Sequence, residues 1–290
     1  MNITKRKPSW FKQNIKSTEI GNKVRSLLEK HHLNTVCEEA KCPNRNNCYS
    51  NGNATFLIMG DICTRNCRFC AIESRSPRRL DHKEPEKIAS VVKDLELSYV
   101  VLTSVTRDDL KDGGANHFFK TIESIKNSSP NCKIEVLIPD MQGNTDNLGR
   151  VIEASPDVIN HNIETIGRLY EDIRPQASYK RSLELLKYTA QKTNILTKSG
   201  FMLGLGEKEK EVYQLLDDLK QNDVKMVTIG QYLAPSEMHY PIRAFIDPER
   251  FAEYEKYAYS KGFLAVFSGP LVRSSYLADQ MYEKAIMNSS

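Results

Sequence analysis

Short apolar runs alternate with amphipathic stretches from residue 55 onward. Six of the runs have the length of strands, and each is followed by a candidate helix. This order is typical of repeated βα units built on a parallel sheet. The predicted strands cover residues 55–60, 99–105, 133–139, 157–164, 194–203 and 225–233.

Two of the candidate helices carry apolar residues at positions i, i+3, i+4 and i+7, which gives each helix one stripe to pack on the sheet. Six βα units are fewer than the eight that close a complete barrel. The pattern therefore favours an α/β fold with a partial (βα)6 TIM-like barrel, and a doubly wound open sheet is the alternative. The stripes are Ile88, Val91, Val92 and Leu95 in one helix and Val212, Leu215, Leu216 and Leu219 in the other.

The chain divides into three predicted parts. Residues 1–54 form an N-terminal arm, residues 55–240 form the partial barrel, and residues 241–290 form a C-terminal extension with a helical stretch and a strand-like GFLAVF. In either predicted architecture the active site lies at the carboxyl ends of the strands. The candidates for chemistry are therefore the polar segments at these strand ends. Three of them follow the first, second and fifth strands, and one forms the end of the fourth strand.

The composition is that of an ordinary globular protein. Of the 290 residues, 40% are hydrophobic and 27% are charged, and the net charge is +4. This balance does not indicate a nucleic-acid partner. No run reaches the ~20 apolar residues of a membrane span, and the basic N-terminus lacks the apolar segment of a signal peptide. We therefore expect no membrane association and, by default, a cytoplasmic location.

Six of the seven cysteines fall into two triplets between residues 37 and 70. An oxidised secreted scaffold would spread its cysteines along the chain, whereas clustered thiols in a reducing compartment are free to bind metal. The triplets are therefore predicted to hold metal rather than disulfides. Cys132 stands alone at the start of an apolar run and is predicted to be a small buried hydrophobic residue.

The segment CTRNCRFC places Cys63, Cys67 and Cys70 on one predicted loop after the first strand. A zinc site normally takes four ligands, often as two separated pairs. Three thiols with this spacing instead suit a four-iron, four-sulfur cluster with one iron open for chemistry. With the aromatic Phe69, the segment resembles the motif of the radical S-adenosylmethionine (radical SAM) superfamily. That resemblance implies that SAM binds the open iron and is cleaved by one electron to a 5′-deoxyadenosyl radical.

The second triplet, Cys37, Cys42 and Cys48 in CEEAKCPNRNNC, again supplies three thiolates. Together with GPLVRSSY near the C-terminus, it resembles the lipoyl synthase family. The similarity extends through TFLIMGDICTRNCRFC, TSVTRDDLKDGGANHF, INHNIET, SGFMLGLGE and QYLAPSEMHYPI. It implies an auxiliary 4Fe-4S cluster whose fourth ligand is a serine of RSSY. Ser275 is the matching position, and Ser274 is the alternative.

The resemblance also implies an activity and partners. Lipoyl synthases insert sulfur at C6 and C8 of an octanoyl chain on a lysine of a carrier domain, and the auxiliary cluster is the sulfur source that is consumed. The expected carriers are the E2 subunits of 2-oxoacid dehydrogenases and the glycine cleavage H protein. An electron donor such as ferredoxin or flavodoxin and an Fe-S cluster carrier are expected as further partners.

Three segments suggest contacts with SAM. GFMLGLGE resembles a superfamily element beside the adenine, with Met202 in a position usually held by isoleucine; a strand-to-helix turn would equally explain its glycines. On predicted strand four, polar side chains alternate with Ile163 and could point inward to SAM, although they could also be packed structurally. His161 is expected to be a buried structural residue. Arg174 in YEDIRPQ could pair with the SAM carboxylate or form a surface ion pair. The candidate SAM residues are Asn162, Glu164, Arg174, Gly200 and Gly204.

One position departs from the family pattern: Thr106 stands where we expect an aspartate, which leaves Arg107, Asp108 and Asp109 to match. The basic segments RSPRR and KRK could contact an acidic carrier domain, although such runs are often only solvated. Two other functions compete with lipoyl synthesis. One is a different radical SAM sulfur-inserting enzyme, such as a biotin synthase or a methylthiotransferase, although these lack the second triplet and RSSY. The other is a non-catalytic zinc module.

Overall fold

A computed structural model describes residues 7–12 and 18–289, which fold as two compact units. The described part of the N-terminal unit comprises residues 18–66 and 71–159. The C-terminal unit comprises residues 7–12, 67–70 and 160–289. The loop that carries the CxxxCxxC motif therefore contributes Cys63 to the first unit, and Cys67 and Cys70 to the second.

The N-terminal unit alternates strands and helices, as its apolar pattern predicts. Its helices are α1 (Glu19–His31), α2 (Val36–Glu39), α3 (Arg45–Ser50), α4 (Glu84–Asp94), α5 (Ala115–Ser128) and α6 (Thr145–Glu153). Its strands are β1 (Asn34–Thr35), β2 (Thr55–Ile58), β3 (Ile62–Cys63), β4 (Glu73–Ser74), β5 (Tyr99–Ser104), β6 (Lys133–Leu137) and β7 (Val158–Asn160).

Parallel pairing dominates the sheet of this unit. Strand β5 pairs in parallel with β2 on one side and with β6 on the other, and the short β1 pairs antiparallel with β2. Every residue of β2 is buried. Such continuous apolar strands are expected where helices cover both faces of a parallel sheet. Helix α4 places Ile88, Val91 and Val92 in the core as predicted, whereas the fourth residue of the predicted stripe, Leu95, follows the end of the helix and is half-buried.

The C-terminal unit repeats this organisation. Its helices are α7 (Tyr170–Ile173), α8 (Tyr179–Lys192), α9 (Glu209–Gln221), α10 (Pro248–Ser260) and α11 (Ala278–Met287), and its strands are β8 (Leu196–Leu203), β9 (Met226–Gln231) and β10 (Ala265–Gly269). Strand β9 pairs in parallel with β8 and with β10, so the strand-like GFLAVF of the predicted extension joins this sheet. The stripe of α9 is buried throughout, as predicted.

Five of the six predicted strands lie where the sequence places them, although the structure trims their ends. The fourth is different, because β7 stops at Asn160 instead of continuing to Glu164. The next residues run beside β8 without forming a strand, and the amide of Glu164 donates to the Gly200 carbonyl at 3.0 Å. Glu164 has a φ of 65°, which breaks the extended backbone. The α/β fold class predicted from the βα repeats is confirmed.

Candidate active site

The second cysteine triplet lies on two short helices of the N-terminal unit and the turn between them. Cys37 is in α2, which Thr35 caps by accepting a hydrogen bond from the Glu38 amide at 3.3 Å. The Cys42 amide donates to the Cys37 carbonyl at 3.1 Å, and Cys48 follows in α3. Burial raises the pKa of the Cys37 thiol to about 11, and the neighbouring charge of Cys42 adds to the increase. The backbone bond between the two residues closes one turn of the chain that carries both cysteines.

Cys63 ends strand β3 with its sulfur facing two backbone amides. The Sγ atom accepts hydrogen bonds from the amides of Arg65 at 3.4 Å and Thr106 at 3.3 Å. Amide donors of this kind stabilise a thiolate and influence the potential of any cluster it holds. Thr106, the residue that departs from the family pattern, makes this contact through its backbone. A threonine can therefore replace the expected aspartate without losing the bond to Cys63.

Between the first two cysteines of the motif, Arg65 anchors the loop through buried ion pairs. Its guanidinium binds Asp108 through two hydrogen bonds of 2.7 and 2.9 Å, and it binds Asp140 at 2.6 Å. The side chain of Asp140 is fully buried, and that of Arg65 is 5% exposed. Burial alone would raise the pKa of Asp108, but hydrogen bonds from Arg65 and Gln142 lower it below its ordinary value. The motif is thus fixed by charges as well as by packing.

The Arg65→Met protein is expected to be about 3–5 kcal/mol less stable than the wild type, because the change leaves Asp140 buried without its cation. Urea unfolding followed by circular dichroism measures the difference. The exposed Lys180–Glu184 pair offers a control, and Lys180→Met should cost no more than about 0.5 kcal/mol. The contribution of Asp108 is present above its unfolded pKa and is lost as pH falls through its lowered folded pKa. The two proteins should therefore converge in acid, and equal stability at neutral pH would contradict this account.

The last part of the CxxxCxxC loop belongs to the C-terminal unit. The Cys70 amide donates to the Cys67 carbonyl at 3.0 Å, which turns the chain between the two thiols. Phe69 packs against the apolar core of the unit. The aromatic residue of the motif therefore acts as an apolar anchor that holds both cysteines in position.

Asn162 and Glu164 meet even though they do not lie on a strand. The Asn162 Nδ2 atom donates to Glu164 Oε1 at 3.0 Å and to Ser274 Oγ at 2.6 Å. Burial raises the pKa of Glu164. The buried Asn162 Oδ1 atom has no hydrogen-bond partner among the described residues. A buried polar atom of this kind indicates a missing partner, such as a ligand hydroxyl.

Arg174 is buried beside this pair rather than forming a surface ion pair. Its Nη1 atom donates to the carbonyls of Asn162 at 3.1 Å and Ile163 at 3.3 Å, and to the Tyr170 hydroxyl at 3.1 Å. Its positive charge acts to lower the pKa of Glu164, against the effect of burial. Arg174 therefore holds the backbone that carries Asn162. His161 is buried and its Nε2 lies 2.9 Å from Ser182 Oγ, which confirms the expected structural histidine.

The GFMLGLGE segment forms the end of β8 and the turn after it. Glu207 folds back on this turn, and its carboxylate accepts hydrogen bonds from the amides of Gly204 at 2.6 Å and Leu205 at 2.9 Å. Gly204 has a φ of 92°, which favours glycine. A side chain at Gly200 would collide with Thr228 Oγ1 and approach Asn162 Oδ1. The chain's own atoms therefore occupy the space that both glycines leave open.

The two serines of RSSY differ in what they contact. Ser274 accepts the Asn162 bond and lies in the C-terminal unit beside Gly200. Ser275, in the same unit, is partly exposed. The hydroxyl of Ser274 is thus engaged at the Asn162 site.

Comparison with known proteins agrees with this geometry. The family model of the radical SAM superfamily matches residues 57–219. A lipoyl synthase of Caldicellulosiruptor bescii is 53% identical over 94% of this chain and 94% of its own length. One from Caldanaerobacter subterraneus is 52% identical over 96% and 97%.

The chain belongs to the lipoyl synthase family. It is therefore a radical SAM sulfurtransferase that uses SAM and 4Fe-4S clusters, including an auxiliary cluster, and acts on protein-bound octanoyl groups. A solved methylornithine synthase shares the fold, with a TM-score of 0.57, 17% identity, and coverage of 83% of this chain and 73% of that one.

The chemistry of the side chains fits the cofactors of lipoyl synthases. None of the six cysteines of the two triplets forms a disulfide, so their sulfur atoms fit a role as cluster ligands. Asn162 and Glu164 offer buried acceptors to the hydroxyl or amino groups of SAM. Within residues 7–12 and 18–289, no three His, Cys, Asp or Glu side chains are grouped closely enough to hold a single metal ion. Ligands of a four-iron cluster bind different irons and do not need such grouping. The described helices are all too short or too polar to cross a membrane.

Several residues that shape the site were missed by sequence reasoning. Arg65 and Asp140 are 75 positions apart, so no local pattern connects them. Glu207 could have been found, because it is the acidic residue that ends the GFMLGLGE motif. The Ser274–Asn162 bond joins positions 112 apart and carried no sequence signal.

Proposed function

We propose that the two cysteine triplets divide the work of lipoyl synthesis. Cys63, Cys67 and Cys70 would hold the radical SAM cluster, and Cys37, Cys42 and Cys48 would hold the auxiliary cluster with Ser275. When bound, these groups and two SAM molecules would supply one electron, one 5′-deoxyadenosyl radical and one sulfur atom for each of the two insertions, at C6 and at C8 of octanoyl-lysine. The observation that carries this assignment is the pair of thiolate sets in one chain, each stabilised by its own short backbone turns.

The residues around Asn162 would bind SAM and keep water from it. Asn162 Oδ1 and the Glu164 carboxylate would accept hydrogen bonds from the ribose or the methionine amino group. Arg174 would hold Asn162 in place and could face the methionine carboxylate. The glycine turn at Gly200 and Gly204, clamped by Glu207, would fix the wall beside the adenine. Burial of these groups would strengthen each of the contacts.

Ser275 would be the weakest ligand of the auxiliary cluster. A serine oxygen is a harder donor than a thiolate and a poorer partner for cluster iron. Its bond would therefore break first, which suits a group that surrenders sulfur. The proposed three-part organisation follows: residues 1–54 and 241–290 supply the auxiliary ligands, and residues 55–240 supply the radical chemistry.

The proposed carriers are octanoylated E2 domains and the glycine cleavage H protein. The basic segment RSPRR would meet their acidic surfaces; Arg78 and Arg79 are exposed, while Arg75 pairs with Glu73 at 2.9 Å. Lys5 and Arg6 of KRK lie outside the described residues. A ferredoxin or flavodoxin would supply electrons, and an Fe-S carrier would rebuild the auxiliary cluster. We propose a cytoplasmic location because none of the seven cysteines, all among the described residues, forms a disulfide.

Anaerobic incubation with reductant, SAM and an octanoyl-lysine peptide tests the function. The reconstituted enzyme should hold about eight irons in two four-iron clusters and convert the peptide to its dithiolane, as measured by mass. A hexanoyl-lysine peptide, which has no C8, is the control and should give no dithiolane. Unmodified octanoyl peptide from a fully loaded enzyme would contradict the assignment.

A further inference from the structure

One exposed patch of the C-terminal unit lies directly on the loop that carries Cys67 and Cys70. At its centre is Tyr240, whose side chain is buried under two arginines. The guanidinium carbon of Arg68 lies 5.3 Å from the centroid of the Tyr240 ring, and that of Arg243 lies 5.5 Å from the same centroid. Both distances fall within the range of cation–π contacts. The ring therefore holds two positive charges side by side at the surface.

The two charges are not neutralised by the chain. Within the described residues, neither Arg68 nor Arg243 forms an ion pair, whereas Arg168 of the same unit binds Glu211 at 2.8 Å. Glu237 is the one carboxylate of the segment from 236 to 243, and no described ion pair joins it to either arginine. Arg68 Nη1 also donates to the Asp172 carbonyl at 3.2 Å, but no described ion pair neutralises either arginine, so both guanidinium charges are available to a partner.

Backbone bonds fix this patch to the cysteine loop. The Arg68 amide donates to the Ile173 carbonyl at 2.9 Å, and the Tyr240 amide donates to the Arg68 carbonyl at 2.8 Å. His239 Nε2 lies 3.0 Å from the Cys70 carbonyl, so this nitrogen carries the proton and donates. These contacts hold Arg68 one residue from Cys67 and two from Cys70, and Arg243 is next to it through the shared Tyr240 ring.

An apolar tip completes the surface. The side chain of Met238, next to His239, is 93% exposed, which is unusual for a large apolar residue. Methionine adapts readily to a partner's surface. A cationic rim with a flexible apolar tip is a combination that suits a small, transient interface.

We propose that Arg68, Arg243 and Met238 form the docking surface for the electron donor, a small acidic one-electron carrier protein. This inference rests on the proposed role of Cys67 and Cys70 as cluster ligands. An electron enters a cluster through the groups that ligate it. A donor that docks on the loop carrying these ligands therefore has the shortest path for the electron. The octanoyl substrate must reach SAM instead, and none of the three patch residues contacts Asn162 or Glu164.

The electron transfer balances without a proton. In a flavodoxin donor, the anionic flavin hydroquinone gives one electron and becomes the neutral semiquinone, while the cluster passes from its oxidised to its reduced state. Positive charge on the ligand loop would increase the encounter rate with the acidic donor and lose this effect as salt screens it.

Stopped-flow reduction of the reconstituted holoenzyme tests the surface, with loss of cluster absorbance as the readout. The R68Q/R243Q enzyme should be reduced by flavodoxin hydroquinone about tenfold more slowly at low salt, and the deficit should shrink near about 0.15 M salt. The R68K/R243K enzyme should keep most of the rate because it keeps the charges. K187Q/K192Q, which removes two exposed lysines of α8 in the same unit, is the matched control and should be unaffected.

Reduced methyl viologen, a small cation, separates docking from damage to the loop. Because it needs no acidic surface, it should reduce the wild-type and R68Q/R243Q enzymes equally fast and support equal SAM cleavage. An unchanged rate with flavodoxin would overturn the inference, and so would an equal loss with both reductants. A raised KM for the octanoylated carrier with normal reduction would assign the patch to the carrier instead. Failure of the wild type to cleave SAM with viologen would count against the proposed function itself.

Discussion

The Cys63→Ala enzyme is expected to lose SAM cleavage by more than about 1000-fold, which corresponds to about 4 kcal/mol of transition-state stabilisation. The change removes a thiolate on which the reducing cluster would depend and leaves the amides of Arg65 and Thr106 without their acceptor. Iron content should fall from about eight to about four per chain, because the ligands of the auxiliary cluster remain. Iron analysis and the yield of 5′-deoxyadenosine measure the two effects.

Cys132 provides the control for this experiment. It is the seventh cysteine, is buried just before β6, and its Sγ donates a weak S–H bond to the Lys133 carbonyl at 3.6 Å. Cys132→Ala should keep all of the iron and the full rate of SAM cleavage, with a stability cost of about 1 kcal/mol. Loss of iron in this variant, or full iron in Cys63→Ala, would show that the assignment of the thiols is wrong.

The second large effect is expected at Ser275. Ser275→Ala should lower dithiolane formation by more than about 100-fold while SAM is still cleaved, because the radical cluster and the Asn162 site are intact. Ser275→Cys should restore a bound auxiliary cluster but release its sulfur slowly, since a thiolate binds cluster iron more firmly than an alkoxide does. The ratio of dithiolane to 5′-deoxyadenosine, both measured by mass, reports this uncoupling.

Ser274→Ala is the neighbouring comparison, and its effect should be of a different kind. It removes the 2.6 Å bond from Asn162 Nδ2, so SAM binding and cleavage should weaken about tenfold, with dithiolane formation falling in the same proportion. If Ser274→Ala lowers the ratio of dithiolane to 5′-deoxyadenosine while Ser275→Ala leaves this ratio unchanged, the fourth ligand of the auxiliary cluster would be Ser274.

Much of the fold can be predicted from the sequence because each strand and helix of the βα repeat has a hydrophobic periodicity that is visible in neighbouring residues. The apolar run at residues 99–105 and the stripe Val212–Leu219 are buried as expected, since burial is what apolar spacing encodes. The predicted end of the fourth strand, at residue 164, was wrong. The left-handed backbone of Glu164 depends on contacts with β8 and not on its neighbours in sequence.

The candidate site shows the same division between local and distant information. Both cysteine triplets could be recognised because their ligands are close together in the chain. The residues that hold these triplets in place could not be recognised from the sequence, because Arg65 contacts Asp140 and His239 contacts Cys70 only after the chain has folded. The glycines illustrate a further limit: the motif indicated close approach at Gly200, but only the structure identifies Thr228 and Asn162 as the atoms that approach.

On the proposed assignment, Cys37, Cys42, Cys48 and Ser275 hold the sulfur that enters the product. The most direct test reconstitutes the enzyme with a heavy isotope of sulfide, removes free sulfide, and measures the mass of the dithiolane formed in a single turnover. Both sulfur atoms of the product should carry the heavy isotope. A product with light sulfur, or with one heavy atom in every molecule, would contradict this account.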